Sequence, residues 1–203
     1  MPTRSKTDAL IRLAKAGPIR PRDLAAAGIP RSYLGRLVSR GVLEQSARGL
    51  YQRVNADVTE LHSVAEVALR VPHGVICLLS ALQIHGLTTE APHAVWLMID
   101  QKARPPALDT PKLELVRASG EARTHGIDVR RIEGVEVKLT SAAKTVADCF
   151  RYRRHVGLEV ALEALRAYLR PPRRAGRSID ALMAAARADR VTSVVRPYLE
   201  ALA

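Results

Sequence analysis

Along the first fifty residues the apolar positions fall at helical spacing and then change period. In "TDALIRLAKAG", Leu10, Ile11, Leu13 and Ala14 form one apolar face, with Thr7 expected as the N-cap and Gly17 followed by Pro18 as the stop. In "IRPRDLAAAG", Pro21 suits an early helical position, Leu24 and Ala25 are expected to face inward, and Gly28 ends the turn. "IPRSYLGRLVSRG" predicts a third helix, opened by Pro30, buried along Leu34, Leu37 and Val38, and closed by Gly41. Two short helices joined by a tight glycine-containing turn are the helix-turn-helix pattern. "VLEQS" and "LYQR" then have the partly alternating character of strands, and Gly49 between them permits a tight hairpin. Three helices and a hairpin predict a winged helix-turn-helix domain over residues 1–55.

After a short connection the pattern restarts, and residues 60–203 are expected to form a second, larger domain. "ELHSVAEVALRVP" reads as a helix stopped at Pro72, and the apolar "GVICLLSALQIHG" as a second helix ending at Gly86. "HAVWLMID" and "KLELVRAS" read as strands, the first buried and the second alternating, on either side of the proline-rich loop "KARPPALDTP". "IDVRRI" and "VEVKL" add two more strands around "EG". From Ser141 onward the chain reads as helices, "SAAKTVADCFRYR", "VGLEVALEALRAYL", "SIDALMAAARA" and "VTSVVRPYLEAL", interrupted by the basic loop "RPPRRAGR". Strands followed by helices in blocks predict a mixed α+β domain with a helical C-terminal half, not a parallel βαβ array.

Charge adds a partner to this outline. The net charge is +12 at pH 7, and residues 1–53 hold eleven Lys and Arg against three acids, a net of +8. The remaining residues hold 21 against 17, so the positive field belongs mainly to the N-terminal quarter. Such a field favours an anionic polymer or surface. On the third helix Ser32, Arg36, Ser39 and Arg40 share the face opposite Leu34 and Leu37, with Arg31 and Tyr33 at its start. A helix laid in a major groove presents its early residues to base edges, where arginine reaches guanine bidentately and serines hold phosphates. Arg20 and Arg22 flank the second helix, and Arg48 at the hairpin tip is expected to grip backbone or enter a minor groove. The predicted DNA-binding set is therefore Arg20, Arg22, Arg31, Ser32, Tyr33, Arg36, Ser39, Arg40 and Arg48.

No catalytic constellation outweighs its structural explanation. Cys77 and Cys149 lack CxxC spacing and fit buried thiols in a reducing compartment. The histidines show no metal-ligand spacing, and no glycine-rich phosphate loop is present, so no metal or cofactor is expected. Asp128 with Glu136 and Lys138 is the sharpest enzyme candidate, a magnesium-nuclease-like set, but alternation in "VEVKL" puts the last two on one solvent-facing strand face. Ser80 with His85, and Ser141 with Lys144 and Asp148, are weaker. Ser141 reads as a helix N-cap, Lys144 and Asp148 as an ordinary i,i+4 pair, and His85 as the basic residue common near a helix C-terminus. Arg151, Arg153, Arg154, Arg173, Arg174 and Arg177 form a second basic group, read as solvated charge. The N-terminus carries charges through its only apolar run, and no stretch of eighteen apolar residues occurs, so a cytoplasmic protein without membrane association is expected.

The stretch "GPIRPRDLAAAGIPRSYLGRLVSRGVLEQSARGLYQR" resembles the winged-helix domain of the AbiEi family of antitoxins, in its Gly/Ile turn, Leu-x-x-Leu recognition helix and Arg-Gly-x-Tyr wing. "ICLLSALQIHGLT", "VEVKLTSAAKTVADCFRYR" and "VGLEVALEALRAYLR" resemble successive blocks of that family's C-terminal part, the Ser-Ala-x-Lys-Thr-x-x-Asp-Cys block being the most specific. The resemblance implies an antitoxin of a phage-defence toxin–antitoxin pair. Such a protein represses its own operon at promoter DNA repeats and counters a nucleotidyltransferase toxin, often without a lasting complex. Neutralisation chiefly by direct toxin binding, and a stand-alone winged-helix transcriptional regulator, stay open as alternatives, with a metal-dependent nuclease the least favoured.

Overall fold

A computed structural model describes residues 6–47, 49–54, 59–170 and 177–202 of the protein. The chain divides into two compact units, residues 1–62 with 131–135, and residues 63–130 with 136–203.

In the first unit, α1 (Lys6–Ala16), α2 (Pro21–Ala26) and α3 (Ser32–Ser39) are followed by an antiparallel pair, β1 (Leu43–Ala47) and β2 (Leu50–Arg53). Leu10, Ala14, Ile19, Leu24, Ile29, Leu34, Leu37 and Leu43 close into one core. Thr7 lies inside α1 and does not cap it. Leu13 is 36% exposed, because the side of α1 that packs on the core is formed by Leu10 and Ala14 with Ala9 and Ile11 at its margin. Ala25, expected inside, is exposed because a six-residue helix buries a single side chain, Leu24. Ile19, just before α2, forms an antiparallel bridge to Tyr51, with both backbone N–H···O bonds made, at 2.7 and 2.9 Å. That bridge ties the segment between α1 and α2 to the hairpin and completes the winged-helix arrangement.

The second unit starts with α4 (His62–Arg70). The following apolar run splits, against expectation, into β3 (Val75–Ile76) and α5 (Leu78–His85), joined by Cys77 and turned at Leu78, whose φ is +45°. A continuous apolar run gives no period by which to separate a buried strand from a buried helix. β4 (Val95–Asp100), β5 (Leu113–Ala118), β6 (Ile127–Ile132) and β7 (Val135–Thr140) join β3 in a five-stranded sheet of order β5-β4-β3-β7-β6. β3 runs antiparallel to β4 and parallel to β7, and β4 runs parallel to β5, so the sheet is mixed. The fold is α+β. A short helix absent from the sequence reading, α6 (Glu121–Thr124), precedes β6.

Helices α7 (Ala142–Arg151), α8 (Arg153–Val156), α9 (Leu158–Leu169), α10 (Ile179–Ala188) and α11 (Thr192–Leu202) form the C-terminal half. Phe150, Leu165, Tyr168, Leu182 and Val195 from these helices share one core with Leu82 of α5 and Met98 of β4. α7 lies at its centre, with every residue from Ala143 to Phe150 buried. Ser141 caps α7 as the sequence implies, its Oγ accepting from the N–H of Lys144, and Ser178 caps α10 in the same way. Cys77 and Cys149 are buried free thiols, and burial pushes both up in pKa.

Candidate nucleic-acid interface

The first unit sets α3 on its core by Leu34 and Leu37, which leaves the opposite side of the helix in solvent. Arg31, Ser32, Arg36, Ser39 and Arg40 are all exposed, and Tyr33 is half-buried at the margin of the core. The helix begins with short i→i+3 bonds, Tyr33 N–H to the Pro30 carbonyl and Leu34 N–H to that of Arg31. Its first turn contains no acid, while Arg31 stands at the N-cap. A cation there opposes the helix dipole, an arrangement that becomes favourable once an anion sits between the arginine and the free N–H groups.

Within this face the side chains are unequally committed. The Arg36 guanidinium lies over the Tyr33 ring, 4.9 Å from its centroid. Ser39 Oγ donates to the Arg36 carbonyl at 3.0 Å, so its hydroxyl proton already has a partner on the helix. Arg20 is held by Asp23, Nε to Oδ2 at 3.3 Å, while the same carboxylate accepts from the Arg20 backbone N–H at 2.7 Å. Its neighbour Arg22 is exposed. Among the described residues Arg22, Arg31, Arg36 and Arg40 form no ion pair. Arg48, the expected wing contact, lies outside the described residues; Gly49 beside it takes a φ of +72°, which suits a tight turn. The Tyr33–Arg36 stack is a feature the sequence reading missed, and its only signal there is the i,i+3 spacing of an aromatic and an arginine.

The candidate chemical groups of the second unit resolve into structural ones. Lys144 and Asp148 are not an ordinary surface pair. Both are fully buried, and Lys144 Nζ also reaches Asp189 Oδ1 at 2.8 Å and Oδ2 at 3.1 Å, closing a dry triad. Burial, opposed by Lys144 and reinforced by the nearby Asp189 charge, pushes the Asp148 carboxyl up to about 8. His85 is not a cation at a helix end. Its Nε2 lies 2.7 Å from the Thr140 carbonyl, and its Nδ1 lies 3.0 Å from Arg130 Nη2. Nδ1 must accept, because a guanidinium only donates, and Nε2 must donate to the carbonyl, so the ring is neutral. Burial lowers its pKa accordingly. The cations at the end of α5 are instead Arg130 and Arg177, which donate to the carbonyls of Ile84 and His85, and Gly86 closes the helix at φ +63°. Ser80 Oγ accepts from the backbone N–H of Trp96. Asp128 is exposed on β6, and Glu136 and Lys138 are the outward residues of an alternating β7. Arg151 donates to the Asp189 carbonyl and Arg153 to that of Phe150, whereas Arg173 and Arg174 lie outside the described residues. Among the described residues no group of three or more His, Cys, Asp or Glu is placed to hold a metal ion, and no helix is long and apolar enough to cross a membrane.

Helix α3 on its core, the bridged segment before α2 and the glycine-turned hairpin define a winged helix-turn-helix protein. Residues 8–54 match the family described as "Transcriptional regulator, AbiEi antitoxin". The blocks after residue 54 fall outside the matched span. Among solved structures, the chain is similar to the RV2827C protein from Mycobacterium tuberculosis, with a TM-score of 0.52 and 15% sequence identity, over 96% of this chain and 79% of that one. At this identity the likeness is one of fold. No protein of curated function matches the chain.

Proposed function

We propose that the protein is the antitoxin of a toxin–antitoxin pair, which represses its own operon by binding promoter DNA repeats and counters a nucleotidyltransferase toxin. In this reading residues 1–55 are the DNA-binding domain and residues 60–203 the antitoxin domain. Arg31, Ser32, Arg36 and Arg40 enter the major groove from α3, Tyr33 and Ser39 support them, and Arg20, Arg22 and Arg48 hold phosphates around it. The protein acts in the cytoplasm and is not itself an enzyme.

The observation that carries this reading is the outward face of α3, in a segment that matches the AbiEi transcriptional-regulator family. Arg31, Arg36 and Arg40, exposed on and at the ends of one short helix and without carboxylate partners among the described residues, keep a desolvation cost low and a phosphate attraction high. The test is a mobility shift of the promoter fragment upstream of the chain's own gene, titrated with salt and with random competitor DNA. Selective retention of the promoter fragment is the expected result. Equal retention of random duplex, or none, overturns the repressor reading. Coexpression with the adjacent nucleotidyltransferase tests the second half: growth rescued without stoichiometric copurification is expected, and rescue that requires a stable complex replaces this mechanism with direct capture.

A further inference from the structure

We propose that Tyr33 is a positioning residue that holds Arg36 for the reading of a guanine in the major groove. This rests on the promoter-binding reading and deepens it, by assigning base selection to one stacked pair on α3.

The ring of Tyr33 has two different sides. It is half-buried and packs against the core built from Leu10, Leu34, Leu37 and their neighbours, so it cannot swing freely. Toward solvent, the Arg36 guanidinium sits over it at 4.9 Å. An arginine on an exposed helix otherwise samples many rotamers and loses that freedom when it binds a base. A stacked guanidinium has already lost much of it, and its edge, which carries the paired N–H donors, stays free because the ring occupies only its face. Those donors match O6 and N7 of guanine. No carboxylate competes for Arg36 among the described residues. Among the described residues Arg31, Arg22 and Arg40 have no such platform, which suits them to phosphates, where orientation matters less.

The proposal is tested with the full-length protein by fluorescence anisotropy, on the promoter fragment and on a random duplex of equal length. The variants are Tyr33→Phe, Tyr33→Leu, Arg36→Ala and the double variant Tyr33→Leu/Arg36→Ala. Leucine keeps the apolar packing and removes the ring face, and circular dichroism verifies folding. Tyr33→Phe is expected to keep the wild-type preference for promoter over random DNA. Arg36→Ala is expected to lower that preference by about ten- to a hundredfold. Tyr33→Leu is expected to lower it by roughly two- to fivefold, and the double variant is expected to match Arg36→Ala alone. In the free protein, the ring current shifts the Arg36 δ-methylene protons upfield in wild type and Tyr33→Phe but not in Tyr33→Leu. Losses that add in the double variant, or a Tyr33→Phe loss equal on both DNAs, overturn the proposal and make Tyr33 a direct contact. A wild type with no preference for the promoter fragment overturns the parent reading and this one together, so the two failures are distinguishable.

Discussion

Lys144 Nζ lies 2.8 Å from Asp189 Oδ1 across the gap between α7 and the end of α10, and both side chains are fully buried. Asp148 meets the same ammonium from one turn further along α7. A buried charge is tolerated only while its partners remain, and removing one leaves the others uncompensated in a low-dielectric site. Lys144→Met should therefore destabilise the second unit by about 3–5 kcal/mol. Asp148→Asn should cost far less, because Asn keeps an acceptor for Lys144 and leaves a one-to-one pair with Asp189. Urea denaturation of the two variants separates these expectations; equal losses would mean that Asp148 is needed as a charge.

The same triad sets a pH dependence. Asp148 is raised to about 8 by burial first, whereas an unfolded aspartate titrates near about 4. Across that window the native state holds a proton that the unfolded chain has released, so stability falls as pH rises toward 8. His85 acts in the opposite direction. Burial lowers its pKa, so the unfolded chain binds a proton first as pH drops through about 6.5, and stability falls on the acid side. Below about 6.5 the two opposing slopes offset one another, and above it only the Asp148 loss remains, so the expected profile is nearly level on the acid side and falls toward pH 8. In Asp148→Asn the alkaline slope should flatten and the acid slope of His85 should emerge, which thermal melts from pH 5 to 9 would reveal. An unchanged alkaline slope would place the titrating proton elsewhere.

How much of this was legible in the sequence depends on period. The N-terminal helices were, since Leu34 and Leu37 recur at helical spacing and Gly28 and Gly41 mark the stops. Ile19 was not, because one bridging residue leaves no pattern and its partner Tyr51 is supplied by a distant hairpin. β3 hid inside an apolar run in which Gly74 through Leu78 are all buried, so that burial gives no period there. The triad was missed because Asp189 lies 45 residues beyond Lys144. One sign of it was present: Ala143, Val146, Ala147, Cys149 and Phe150 surround α7 with apolar groups, leaving no wet face for Lys144 or Asp148.

Gly126 joins β6 to the start of α7 at close range. Its φ is +62°, its carbonyl accepts from the Ser141 N–H at 2.7 Å, and a Cβ would lie 2.9 Å from that of Lys144 and 3.0 Å from Ser141 Oγ. Gly86 has a similar φ of +63°, in the left-handed region, but open space around it. Gly86→Ala should thus cost about 1 kcal/mol, the backbone penalty alone, and Gly126→Ala clearly more, because the helix that carries the triad must also shift. Chemical denaturation of both variants provides the comparison, and equal costs would show that the α7 contact yields without strain.

On α3 and α2 the arginines should separate by role when DNA binding is measured. Arg36 is stacked and aimed from the outward face of α3, whereas Arg22 is exposed on α2 and has no ring or carboxylate partner among the described residues. Base reading loses affinity for one sequence, while phosphate contact loses it for all and carries the salt dependence. Arg36→Ala should cost roughly 1–3 kcal/mol on the promoter fragment, little on random duplex, and relax the preference at one base position. Arg22→Ala should weaken both DNAs alike and reduce the slope of log affinity against log salt by about 1. Titrations at several salt concentrations measure both quantities in the same experiment. If Arg36→Ala weakens promoter and random DNA equally and changes the salt slope, Arg36 holds phosphate, and sequence selection must come from elsewhere in the domain.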